Sequence, residues 1–306
     1  FDDPWLLTAT RGRRIVALAL FNRGPRRGAR QGFARPLLLG ESGAAARDSI
    51  FVEHNGILVD RAEPDGTVRR CWRALAESEL GRAVWVLSGV PESEGMLPPE
   101  RTTRVVAARP APALAFAAMP AGGETLDAFS PNTRQQLRRS LRGWAAIGAP
   151  ALDVAADADE ADAFLGALET LHQRYWTGRG RPCAFAAPFF GRFHRALLRR
   201  AAPWQRLDLV RLRAGGRVMG YLYNLVYRDW VAACPSGFDF AADSDKLRPG
   251  LVAHLLAIEH YRRQGARLYD FLGGEARYKR SLANGETRLL WLESRPRLLP
   301  RFGGRS

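Results

Sequence analysis

After Arg206 the sequence leaves helical spacing for alternation, and this change constrains the fold more than any other feature. Residues 206–213 (RLDLVRLR) alternate apolar and polar side chains with one break of phase at Leu209-Val210, a pattern that reads as a strand. Gly215-Gly216 supplies a tight turn, and Arg217–Tyr227 (RVMGYLYNLVY) returns as the second arm of a β-hairpin. Arg228-Asp229 turns the chain again, into a third antiparallel strand at residues 230–234.

Helical signals stand on both sides of this meander. Ser130-Pro131 pairs an N-cap serine with a proline in the first turn, and the predicted helix runs to about Ile147 before Gly148. Asp157 caps a second helix, in which Phe164, Leu168, Leu171 and Tyr175 keep a helical period; a third spans Pro188–Arg200. Beyond the strands comes an irregular run, PSGFDFAADSDKLRPG, then a helix from Pro249 to Gln264 closed by Gly265. A strand at 267–272, a short helix at 275–282 and a last strand at 287–293 complete the order αααβββ–loop–αβαβ.

Upstream, residues 14–21 (RIVALALF) read as a buried strand, followed by a Gly/Pro/Arg-rich loop to about Arg35. Asn55-Gly56 marks a turn within IFVEHNGILVD, residues 67–80 form a helix, and strands follow at 83–87 and within 104–119. A Pro/Ala/Gly-rich stretch ending near Gly123 divides the chain into domains 1–123 and 124–306, in keeping with a length of 306 residues.

Charge is uneven. The formal net charge is +15, with residues 1–120 carrying 17 basic and 13 acidic side chains and residues 121–306 carrying 29 and 18. A basic second half suits a polyanionic ligand such as the phosphates of coenzyme A or a nucleic acid, and equally suits an arginine-rich solvated surface. Only Lys246 and Lys279 are lysine, so the other 44 cations are arginine, and a lysine retained at 279 points to a place for a compact charge where a planar fork does not fit. Cys71, Cys183 and Cys234 share no CxxC spacing, so no disulfide framework or zinc knuckle is expected, and the five scattered histidines indicate no metal site. No apolar run approaches the roughly 20 residues of a spanning helix, and no signal-peptide layout is present; the reading is a cytoplasmic chain with no membrane span.

The chemistry concentrates between Lys246 and Lys279. Pro249-Gly250 opens a helix directly after a strand, and a helix start offers unpaired amides and a positive dipole end to a pyrophosphate. Lys246, Leu247, Arg248, Pro249, Gly250 and Leu251 are therefore the candidate cofactor-binding segment. This region resembles the BioF2-like acetyltransferases, often labelled CelD-type and related to the Fem-type peptidoglycan transferases. Four features carry the resemblance in order: Gly237-Phe238-Asp239 after a strand, Pro249-Gly250 at a helix start, Asp270-Phe271 in a strand, and Gly274-Glu275-Ala276-Arg277-Tyr278-Lys279 in a helix. SPNTRQQLRRSLRGWAAIG and LHQRYWTGRG match the family's leading helices, and the likeness covers residues 125–290 well.

The resemblance implies a GNAT fold, an α/β (α+β) architecture with a mixed central sheet flanked by helices, as two GNAT-like halves of which the first is degenerate. It implies an N-acyltransferase that moves an acyl group from acyl-CoA, its co-substrate, to an amine by direct attack on the thioester, without a metal. Tyr278 would protonate the leaving thiolate, and Glu275 or Asp270 would act as base, with Lys279 and His254 as further catalytic candidates; each of these side chains also has a purely structural reading as a packed or paired group. Amides at the splayed end of the strand pair between Tyr223 and Cys234 would hold the oxyanion, and Tyr223, Asn224, Arg134 and Arg138 are the substrate-binding candidates. Arg134, Arg138 and Arg142 fall four apart, a stripe that could meet an anionic group or simply face solvent. The glycine-rich phosphate loop of ordinary GNAT enzymes is replaced by DKLRPG. The acceptor expected is a small-molecule or cell-envelope polysaccharide amine, not DNA. A Fem-type enzyme using aminoacyl-tRNA, or a non-catalytic accessory protein of polysaccharide biosynthesis, is the alternative.

Overall fold

The computed structural model describes residues 4–25, 35–48, 52–93, 97–120, 123–181, 183–200, 205–240 and 247–297. Most of the arginine-rich loop expected before Arg35, and residues 241–246 of the DFAADSDK run, lie outside them. In chain order the elements are β1 (Pro4–Arg11), β2 (Arg14–Arg23), β3 (Leu37–Leu39), α1 (Ala45–Asp48), β4 (Leu58–Val59), α2 (Thr67–Glu77), β5 (Trp85–Pro91) and β6 (Arg101–Ala115). They continue with α3 (Pro131–Ala145), β7 (Pro150–Val154), α4 (Ala158–Thr177), α5 (Pro188–Arg200), β8 (Gln205–Ala214), β9 (Arg217–Tyr227) and β10 (Trp230–Phe238). The last are α6 (Pro249–Arg263), β11 (Leu268–Asp270), α7 (Arg277–Leu282) and β12 (Gly285–Pro296).

The chain forms two compact units, Phe1–Arg109 with Arg288–Ser306, and Pro110–Thr287. Sequence composition placed one boundary at residue 123; strand pairing draws the lines elsewhere. The end of β6 pairs with β11, Ala115 opposite Leu268, and so belongs to the second unit, while Leu289 to Ser294 of β12 pair with β5 in the first.

In the first unit the strand order is β1-β2-β3-β5-β12, with β4 added to β2. All these pairs are antiparallel except β3 with β5, which run parallel on either side of α2. Helix α2 buries Cys71, Trp72 and Leu75 at helical spacing, and Trp72 stacks on Trp85 of β5 at 5.6 Å. Just past their parallel pairing, β3 and β5 are bridged by Asn55. Its Nδ2 donates to the Leu39 carbonyl at 2.8 Å and to the Ser88 carbonyl at 3.2 Å, and its Oδ1 accepts the Gly56 N–H at 3.0 Å. The Asn-Gly pair is thus a turn signal and a wedge between two strands.

The second unit repeats the scheme with longer elements. Its strand order is β6-β11-β10-β9-β8-β7, and only β10 with β11 is parallel, on either side of α6. Each unit therefore contains an antiparallel pair leading into a parallel strand–helix–strand, flanked by one more antiparallel strand. The predicted meander is present as β8-β9-β10, and the structure adds β7, whose PALDV carries too little alternation to announce itself. Ser130 caps α3 by accepting the Thr133 N–H, and Asp157 caps α4 by accepting that of Glu160. Helix α6 is apolar on nearly all sides, burying Leu251, Val252, Leu255, Ile258 and Tyr261 against the sheet and its neighbours.

Asn55→Ala leaves two strand carbonyls without their donor. It is expected to lower the stability of the first unit by about 1–3 kcal/mol in urea unfolding.

Candidate functional site

The site is set by a fault in the sheet of the second unit. β10 and β11 pair over three residues only, Trp230–Ala232 against Leu268–Asp270. Directly beyond, β10 bulges between Ala233 and Ser236, where Cys234 and Pro235 insert one residue more than β9 supplies. Proline has no N–H for a ladder, and a bulge bends and twists the strand that carries it. β10 then rejoins β9, Ser236 opposite Leu222 and Phe238 opposite Gly220, but not β11. The opening expected between β9 and β10 thus lies between β10 and β11, because the bulge turns β10 toward its antiparallel partner.

Aromatic side chains from both parted strands meet one histidine there. The His254 ring of α6 lies edge-on to Phe238 of β10 and to Tyr269 and Phe271 of the β11 segment, at centroid distances of 6.3, 6.0 and 5.5 Å. It stacks on the Tyr278 ring of α7 at 5.1 Å. His254 is 2% exposed; its Nδ1 lies 3.0 Å from the Tyr269 hydroxyl. Burial, with Lys279 nearby, pushes its pKa down to about 3. Tyr278 is half-buried, and burial together with Tyr175 pushes its phenol up to about 12, so it stays protonated at neutral pH.

The loop after β11 is held from two sides. Leu272 adopts a left-handed conformation, φ 59°, costly for a side chain with a Cβ. Asp270 Oδ1 accepts the Leu272 N–H at 2.7 Å, and Lys279 Nζ donates to the carbonyls of Leu272 and Gly273 at 3.2 and 2.8 Å. Gly274, at φ 132°, would set a Cβ 3.4 Å from that ammonium. Asp270 and Lys279 therefore fix the loop that leads into α7 and its tyrosine. Two carbonyls converging on one point suit an ammonium rather than a planar guanidinium, which is a physical reason for lysine in an arginine-rich chain.

The start of α6 has no side-chain cap, and Arg248 before it is left-handed, φ 39°. The N–H groups of Leu251 and Val252 turn to the Arg248 carbonyl. Gly250 packs against Phe238, where a Cβ would come within 3.0 Å of the ring, so the missing side chain serves this contact. Around it, the Leu247 carbonyl accepts the Trp144 indole N–H, Arg248 donates to Gln136, and Pro249 and Leu251 are buried. Lys246 lies outside the described residues.

The structure thus brings His254, Tyr278, Lys279 and Asp270 together and sets the other candidates apart. Glu275 is exposed and lines a separate open pocket of about 360 Å³, with Arg277, Arg280 and the first residues of α3 around it. Tyr223 and Asn224 are fully buried: Tyr223 bonds His194 at 3.1 Å, and Asn224 donates to Tyr261, whose hydroxyl reaches Asp208. Arg134 donates to the Phe129 carbonyl, and Arg138 faces solvent. Sequence reasoning missed Tyr269 and Tyr175. Tyr269 sits two residues before Phe271, the same-face spacing of a strand, and Gly250 and His254 are four apart on the facing helix; together these spacings were the available signal.

The centre of the second unit is thus a parallel strand–helix–strand whose strands part past a bulge, with a tyrosine on the following helix. The family model described as acetyltransferase (GNAT) domain matches residues 131–280, and that part of the chain belongs to the GNAT superfamily. Among solved structures the chain is similar to L-PGS from Bacillus licheniformis, with 11% identity, a TM-score of 0.56, and 97% of this chain and 86% of that one covered. It is also similar to FemX, with 10% identity, a TM-score of 0.55, and 96% and 88% covered. A conserved protein of unknown function from Bacteroides thetaiotaomicron gives 9%, 0.53, 91% and 82%. At these identities the likeness is one of fold. No curated protein sequence matches the chain.

Lys279→Arg is expected to cost at least about tenfold in acyl-transfer rate, the equivalent of one lost charge-assisted hydrogen bond. Arg138→Lys, on the exposed face of α3, should stay within about twofold.

Proposed function

We propose that the protein is an N-acyltransferase that moves an acyl group from acyl-CoA to an amine by direct attack on the thioester. The observation that carries this reading is the parting of β10 and β11 beside Tyr278, at the uncapped start of α6. In this reading the diphosphate lies at the positive dipole end of α6, near Gly250, and the pantetheine arm enters between the parted strands. The acceptor amine attacks the carbonyl carbon, the C–N bond forms, and the C–S bond breaks. Tyr278, a protonated phenol in the cleft, gives its proton to the departing thiolate. The amine's proton passes to solvent water, while Asp270 and Lys279 keep the loop and α7 in place. The acceptor class is a small-molecule or cell-envelope amine, and the CelD-type assignment belongs to this reading.

A second reading uses aminoacyl-tRNA as donor. The net charge of residues 121–306, +11, and the fold shared with FemX favour it. Phosphate contacts would then give tRNA binding a steep dependence on salt. Among the described residues no helix is long and apolar enough to cross a membrane.

A thermal-shift panel of acetyl-CoA, a long-chain acyl-CoA and free CoA tests the donor. A ligand at 100 times its dissociation constant should stabilise the protein by about 2.7 kcal/mol, and no shift with any of the three would remove the reading in favour of tRNA or a non-catalytic role. Tyr278→Phe is expected to lower kcat by about 10²-fold with little change in KM, as measured by thiol release.

A further inference from the structure

His254 holds a polar atom that the fold leaves without a partner. Its Nε2 is enclosed and meets no hydrogen-bond partner among the described residues, while the ring is packed between side chains of both parted strands. Buried polar groups are ordinarily satisfied, and an exception calls for an explanation, of which a bound ligand is one.

Which nitrogen carries the ring proton depends on which partner donates in the contact with Tyr269. The Tyr269 hydroxyl is fully buried and burial raises its pKa well above the usual phenol range, so it keeps its hydrogen. Its hydrogen-bond contact is His254 Nδ1 at 3.0 Å. A phenol that donates to Nδ1 makes that nitrogen the acceptor, and a neutral imidazole then carries its hydrogen on Nε2. The groups facing the ring are Tyr269 from the β11 segment and Tyr278 and Lys279 from α7; Phe238 and Phe271 complete the cage. None of them is an anion that would favour an imidazolium, and the nearby ammonium opposes one.

We infer that His254 is not a base but a fixed donor, whose Nε2–H binds a carbonyl oxygen of the acyl donor where β10 and β11 part. Two carbonyls of that donor share the chemistry, the thioester and the pantetheine amides. A donor on the thioester oxygen strengthens as negative charge builds there during attack, so it acts on kcat. A donor on a pantetheine amide holds ground state and transition state alike, so it acts on KM. The Tyr269 hydroxyl is a positioning group in either case, because it selects the tautomer. This inference rests on the acyl-CoA reading of the cleft.

The test is histidine side-chain ¹⁵N–¹H NMR of the full chain from pH 5 to 8, with and without saturating acetyl-CoA, and His254→Gln to assign the resonance. The expected spectrum is that of a neutral ring protonated at Nε2 throughout, whose Nε2–H resonance moves downfield on binding. His254→Phe should keep the fold, checked by its melting temperature, and lose about 10²-fold in kcat if the thioester is the acceptor; a rise in KM alone assigns the pantetheine. Tyr269→Phe should populate the other tautomer and weaken the same parameter. A His254 resonance unmoved by acetyl-CoA that demonstrably binds overturns this inference and leaves the transferase reading standing, as does a ring that titrates between pH 5 and 8. No binding of any acyl-CoA removes both.

Discussion

One irregularity in a sheet governs the second unit. A strand pair that stayed in register would close its own edge with hydrogen bonds and admit nothing between its members. The Cys234-Pro235 bulge interrupts that, because proline offers no donor and the extra residue redirects the strand. Beyond it β10 keeps β9 as partner and gives up β11 after Ala232. The aromatic cage around His254 draws on side chains from both sides of this gap, Phe238 on one and Tyr269 and Phe271 on the other.

The side chains around the gap divide between those that shape it and those that can act in it. Asp270 and Lys279 spend their charge on backbone, holding a left-handed Leu272 that would otherwise relax. The ring of Phe238 occupies the space beside Gly250 and ties the bulged strand to the first turn of α6. Tyr278 and His254 are left as stacked rings, each held in one protonation state by burial, the phenol protonated and the imidazole neutral. Neither group is poised to titrate near neutral pH.

The first unit has the same parallel strand–helix–strand and a different ending. Where β3 and β5 separate, Asn55 donates to both Leu39 and Ser88 and closes the gap with its own amide. Equivalent topology thus gives a gap packed with aromatic rings in one unit and a hydrogen-bonded plug in the other. The difference comes from side chains at the point of divergence and not from strand order.

Most elements could be read along the chain, because alternation, helical period and caps are local. Arg217–Tyr227, Pro188–Arg200 and the Ser130 and Asp157 caps are cases where neighbours within a few residues decide the structure. The motif around Gly237, Pro249, Asp270 and Lys279 lies where β10 and β11 part and α7 begins. Roles within it did not follow, since they depend on partners distant in sequence. Glu275 and Tyr278 are three residues apart, yet one opens on a solvent-facing pocket and the other stacks on His254. Tyr223 and Asn224 looked available for substrate and are instead bonded to His194 and Tyr261. Sequence alone announced the longer helices, their caps and the β8-β9-β10 meander; tertiary structure added the strands β1, β3, β4 and β7 and decided which polar groups are already satisfied, because a hydrogen bond between residues far apart in the chain leaves no local pattern.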